Sequence, residues 1–219
     1  MDTIDYKFER ESDDRTLLHC YNKGYRLEYD QRLPLLFRFS TTTIGERRVS
    51  ITARNLESSV GSAYHPDLAK IARNPDPKKT YLEVGAGLGE FTILPGVIVI
   101  DPADFQLMRS MLLTFRPYVV DKDLGRFEEV LGRCNRMLNP KQVKLLNIRL
   151  SQALARNQLG EVADLVVDNF AAFEYRSNVE GCSYEDILMM EGTLLKDGGL
   201  LYTDEYVYQK EKGRMVAIK

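Results

Sequence analysis

Three glycines fall within five residues in Leu82-Glu83-Val84-Gly85-Ala86-Gly87-Leu88-Gly89, directly after the short apolar run that begins at Thr80. Residues without a Cβ let the chain turn sharply and approach a ligand to contact distance. A strand ending in such a turn forms the phosphate-binding loop of dinucleotide folds, where the spacing is Gly-x-Gly-x-x-Gly. Here the third glycine comes one residue early, and Glu90 takes the dinucleotide position. Glu83 stands two places before the first glycine. A carboxylate there repels a pyrophosphate and suits a cationic ligand.

The pattern around this turn predicts alternating strands and helices. Strands are expected at 80–84, 97–100, 143–148, 163–168 and 200–207, with helices at about 103–115, 123–138 and 183–195 and a short helix or turn at 151–158. Ser183 is the expected N-cap of the last long helix, with Asp186 completing a capping box. Strands buried on both faces and separated by helices imply a mostly parallel α/β sheet. Ligands of such sheets bind beyond the carboxyl ends of the strands.

Asn74-Pro75-Asp76-Pro77-Lys78-Lys79 is the clearest composition break and divides an N-terminal appendage (1–79) from the α/β unit (80–219). In the appendage, residues 12–24 are read as a short helix and 33–54 as a β-hairpin. From Lys23 to Arg54 seven basic residues face three acidic ones, a local charge of +4. Arg38, Arg48 and Arg54 therefore form a candidate surface for an anionic partner, with a solvated hairpin face as the plainer alternative.

The whole chain of 219 residues carries a formal charge of −2, which argues against a protein that coats nucleic acid. Its apolar runs reach four residues, as in Val97–Ile100, far short of the roughly 20 of a membrane span. The N-terminal residues lack a secretion signal, so a soluble, cytoplasmic protein is expected. Cys20, Cys134 and Cys182 are odd in number and widely spaced, and only His19 and His65 are present. No disulfide framework and no metal site is expected.

Glu83 to Gly89 resembles the first motif of class I S-adenosylmethionine (SAM) dependent methyltransferases. Three further segments match that family in order. Asp101 ends strand two, Asp164–Phe170 resembles the fourth-strand motif, and Leu194–Gly199 resembles the turn before strand five. The resemblance covers about residues 80–207. It implies a Rossmann-like methyltransferase fold with SAM as cofactor. It places Glu83, Gly85, Ala86, Gly87, Gly89, Asp101, Ser151 and Asp168 around the cofactor, with Asp101 on the ribose hydroxyls. Asp168, Asn169 and Glu174 become the candidate catalytic residues, facing the methyl acceptor.

The chain also departs from that pattern. Only Glu90–Gly96 separates the glycine turn from strand two, so the helix there is expected to be one turn or absent. Near Ser151 the family's adenine-facing acid has no counterpart. Tyr208–Lys219 leaves room for one turn and one strand, so a sheet one strand short is expected. Asp168-Asn169-Phe170-Ala171 lacks the prolines of base-amino enzymes, and strand five lacks the lysine of ribose enzymes. A small-molecule or guanine-type RNA acceptor is favoured. Two functions stay open: an active SAM-dependent methyltransferase, and a binding or assembly subunit of the same fold.

Overall fold

Phe8, Leu18, Leu27, Phe39 and Ile51 are cross-strand neighbours in one row that runs over five antiparallel strands. These are β1 (Tyr6–Ser12), β2 (Arg15–Cys20), β3 (Tyr25–Asp30), β4 (Phe37–Thr41) and β5 (Val49–Thr52), in sequential order. Period-2 alternation puts this row on the core face. The next row, Glu9, Leu17, Glu28, Arg38 and Thr52, faces the other way and is mostly polar. Leu17 is nonetheless buried there, beneath a carpet of ion pairs that links Glu11, Arg15, Arg26, Glu28 and Arg38. The computed structural model describes residues 4–33, 35–53, 65–89, 94, 96–168, 172–203 and 205–219.

The segment expected as a helix at 12–24 is therefore mostly strand. Leu17 and Leu18, read as one apolar helix side, point to opposite faces, and only Tyr21–Lys23 coils into a single 3₁₀ turn before left-handed Gly24. The hairpin expected at 33–54 does form, as β4 and β5.

After α1 (Pro66–Arg73) comes a seven-stranded sheet. Its strands are β6 (Tyr81–Val84), β7 (Val97–Ile100), β8 (Val143–Leu146), β9 (Ala163–Asp168), β10 (Leu195–Tyr202), β11 (Val207–Glu211) and β12 (Arg214–Ala217). The spatial order is 12-11-10-9-6-7-8; the five strands from β8 to β10 run parallel, and β11 and β12 add antiparallel. The molecule is thus mixed α/β, with a mostly parallel sheet and an antiparallel one.

The sheet is not one strand short. The expected strand 200–207 splits at Thr203, whose Oγ1 accepts from the Tyr206 amide and donates to the Tyr206 carbonyl, both at 3.0 Å. That turn yields two strands where one was read. Lys196–Gly199, expected as the turn before strand five, lies within β10 at an irregularity between Leu195 and Leu200. Between Val84 and Val97 the described residues, 85–89, 94 and 96, contain no helix.

Helices α2 (Phe105–Phe115) and α3 (Leu124–Met137) sit between the two sheets. One apolar cluster joins Leu27 and Phe39 to Phe115, Phe127 and Val99, so the core is continuous across the break at 74–79. Tyr29 stacks on Phe37 with ring centroids 4.9 Å apart and meets Phe115 edge-on at 5.7 Å. Its hydroxyl donates to Asp123 Oδ2 at 2.5 Å, at the start of α3. Burial and that carboxylate push the phenol's pKa up. Helix α4 (Leu150–Ala155) and α5 (Tyr184–Leu194) cover the other face. The Ser183–Asp186 capping box is present, with the Ser183 amide on Asp186 Oδ2 at 2.9 Å. No helix among the described residues is long and apolar enough to cross a membrane.

Tyr29→Phe removes a buried hydrogen bond to a carboxylate while keeping the ring packing. It should cost about 1–3 kcal/mol in urea unfolding followed by circular dichroism. An unchanged midpoint would show that the junction of sheet and helices does not depend on this bond.

Candidate functional site

The carboxyl ends of β6 and β7 open onto a cavity of about 450 Å³. Its floor is Val84–Gly87 and Ile100–Pro102; one wall is Ile44 and Val49–Thr52 of the hairpin; the other is Leu150 with residues of the segment 172–180. Gly85 and Gly87 hold φ of +59° and +53°, left-handed values that L side chains rarely adopt. The turn is pinned from several sides. The Gly85 amide donates to the Ile100 carbonyl at 2.8 Å, and the Gly89 amide to Ala86 at 2.7 Å. Arg133, buried in α3, donates to the Leu88 carbonyl at 2.9 Å.

Asp101 has a larger role than sequence reasoning gave it. Its Oδ2 accepts from the Gly87 amide at 2.7 Å and its Oδ1 from the Ala103 amide at 2.8 Å. Burial raises its pKa, against the two backbone donors. It lines the cavity while bracing the turn.

The other expected site residues divide. Gly85, Ala86, Gly87, Asp101 and Glu174 line the cavity. Glu83 is fully buried in β6, and Gly89 closes the turn behind the cavity floor. Asp168 is buried and accepts from the Ala172 and Phe173 amides at 3.2 and 2.8 Å. It thereby shapes the wall that follows β9. Asn169 and Arg54 lie outside the described residues. Arg38 pairs with Glu28 at 3.1 Å, and Arg48 donates to Ser40 at 3.1 Å. Two of the three hairpin arginines thus have partners within their own sheet. His65 is buried, and its Nε2 lies 2.8 Å from the Thr203 carbonyl.

Ser151 does not line the cavity; its backbone amide donates to Glu180 Oε2 at 3.1 Å, and that of Leu150 to Oε1 at 2.9 Å. Glu180, from a π-helical turn at Arg176–Glu180, lines the cavity and was missed by sequence reasoning. It supplies a carboxylate beside Ser151, where the sequence shows no acid nearby. The cavity lining now holds three carboxylates (Asp101, Glu174 and Glu180), and no lysine or arginine is among its described lining residues.

Glu191 of α5 was also missed. It is fully buried, close to the carboxylates of Asp168 and Glu180. Burial first, then the nearby Asp168 and Glu180 carboxylates, holds its pKa well above the usual glutamate range. Both causes act in one direction, favouring the protonated form of Glu191.

Comparison with known families and curated proteins finds no matching family model and no matching protein.

The sign of the Glu191 effect is fixed by linkage. A folded-state pKa above the unfolded value gives stability that is complete below the ordinary glutamate pKa and is lost as pH rises towards the folded value. The loss can approach about 1.4 kcal/mol per pH unit in that window. Glu191→Gln should flatten this slope and be more stable than wild type at pH 8, measured by urea unfolding at pH 5 and pH 8. Equal slopes in the two proteins would remove Glu191 as the titrating group.

Proposed function

We propose that the protein is a SAM-dependent methyltransferase acting on a small acceptor. The observation that carries this reading is the charge of the cavity: three carboxylates and no described cation around a left-handed glycine turn. Such a lining favours a sulfonium or ammonium group and disfavours pyrophosphate or a nucleic-acid backbone. Its volume of about 450 Å³ falls in the range of small-molecule sites.

The residues present fit the cofactor. A carboxylate offers about four acceptor directions, and the backbone takes one donor bond on each oxygen of Asp101 and of Glu180. Asp101 keeps capacity for ribose hydroxyls, and Glu180 for the amino group of a purine. Ile44, Val49, Leu150 and Val179 supply apolar faces for the ring. The bound sulfonium would supply an electrophilic methyl carbon. Glu174, exposed at the cavity, accepts the proton released by an amine or hydroxyl acceptor. The hairpin wall limits water, so the positioned groups act at short range.

A second reading follows from the same lining. With no described cation to meet the amino acid carboxylate of SAM, the decarboxylated sulfonium is the better electrostatic match, and the group transferred would be aminopropyl.

Isothermal titration with SAM, S-adenosylhomocysteine and decarboxylated SAM tests both readings. At least one sulfonium should bind, and Glu180→Gln should weaken it about 10- to 100-fold, the cost of one hydrogen bond to a charged group. Glu174→Gln should leave that affinity intact and lower transfer. Tighter binding of the decarboxylated form selects aminopropyl transfer. Binding without transfer to any small amine marks a binding subunit, and no binding of any of the three removes the proposal.

A further inference from the structure

Next to the acidic cavity lies a second one of about 360 Å³, and Ile44 and Pro102 belong to both linings. Its charge is of the opposite kind. Lys23, in the turn between β2 and β3, and Arg149, before α4, line it, and neither makes an ion pair among the described residues. One carboxylate is present, Asp104, and its Oδ1 is engaged as the α2 N-cap by the Leu107 amide at 2.9 Å.

The remaining lining mixes acceptors and donors. Asn147 spends its Nδ2 on the Asp101 and Ala103 carbonyls at 2.8 and 2.6 Å, and the Tyr25 hydroxyl accepts from the Asp104 amide at 2.8 Å, while Arg149 and Gln152 keep N–H groups. Arg149 spends Nη2 on the Ile44 carbonyl at 2.6 Å, which leaves most of its five N–H groups. Gln152 Oε1 accepts from the Arg149 amide at 3.2 Å, so its amide nitrogen remains a donor. An ammonium, a guanidinium fork and an amide around one polar cavity make up oxyanion chemistry. Asp101 lines the first cavity and the next residue, Pro102, lines both, so the two cavities adjoin just beyond the end of β7.

We propose that this second cavity is a phosphate subsite, filled by free phosphate or by the ribose phosphate of a nucleotide whose nucleoside occupies the first cavity. Only the nucleotide arm rests on the nucleoside-binding reading above. A ribose phosphate here places a nucleotide in competition with the methyl donor, whose own structure carries no phosphate.

The full chain is titrated with inorganic phosphate, with amide shifts of Lys23 and Gln152 read by NMR. Adenosine, adenosine 2′-phosphate and adenosine 3′-phosphate are then compared by calorimetry. Phosphate should shift those amides with millimolar affinity, and Lys23→Glu and Gln152→Glu should each weaken that response at least fivefold. Gln152→Glu keeps the acceptor for the Arg149 amide, so it guards against a folding artefact in the first variant. One ribose phosphate should bind at least tenfold tighter than adenosine, and the gain should vanish in both variants while adenosine affinity stays constant. Phosphate binding without that gain assigns the site to free phosphate. Phosphate binding without any adenosine binding keeps this site and removes the nucleoside reading of the first cavity. No phosphate response, or one indifferent to both variants, overturns the proposal.

Discussion

A single buried carboxylate fixes the geometry on which the cavity depends. Asp101 ties the end of β7 to the Gly87 amide, and that bond holds the turn in its left-handed form. Once so held, Leu88 presents its amide to the Thr52 carbonyl at 3.4 Å, and the glycine turn lies against β5. A Cβ on Gly87 would come within 3.3 Å of Ile51 Cγ2. The left-handed φ of the turn favours glycine there, and any side chain would also press on Ile51 of the facing strand. A bulkier residue would strain the backbone and push away the strand that walls the cavity.

The carboxylates of the site sort by whether the backbone has already claimed them. Both oxygens of Asp168 accept amides of the segment that follows β9 and lie away from the cavity. Asp101 and Glu180 are claimed in the same manner yet remain in the lining, so they hold and orient. Glu174 is the exposed carboxylate of the three. Glu191 is buried near Asp168, where a second charge in a dry interior is disfavoured, and its pKa is raised accordingly.

Local signals made much of the parallel sheet legible. β9 begins and ends where its apolar run does, and Ser183 with Asp186 starts α5 by a side-chain rule that needs no tertiary context. The misreadings share one cause. Leu17, Leu18 and Tyr21 fit a helical side as well as a strand, and only pairing with β1 and β3 decides the period in favour of β2. Thr203 gave no glycine or proline to announce the turn that splits β10 from β11. Glu180 was hidden for a similar reason. It reaches Ser151 from a π-helical turn whose position depends on how residues 172–180 fold back over β9. Spacing along the chain carries no trace of that return.

The hairpin wall is held as firmly as the floor. The Ile44 carbonyl accepts from Arg149, the Glu46 and Arg47 amides donate to Asn178, and Ala53 accepts from Arg126 of α3. Each such bond is worth about 0.5–1.5 kcal/mol net, so lifting the wall as one piece would cost several. Gly45 fits closely at the tip, where a Cβ would meet the Asn178 carbonyl at 2.7 Å. A wall of this kind is pre-formed and does not have to be ordered by whatever the cavity binds. The same rigidity limits the size of what can enter. The tip of the β4–β5 hairpin is fixed on both sides, by Asn178 and by Arg149, so it stays over the cavity unless both sets of contacts break. The hydrogen bonds that close the wall and the carboxylates that line it thus meet in one pre-formed cavity.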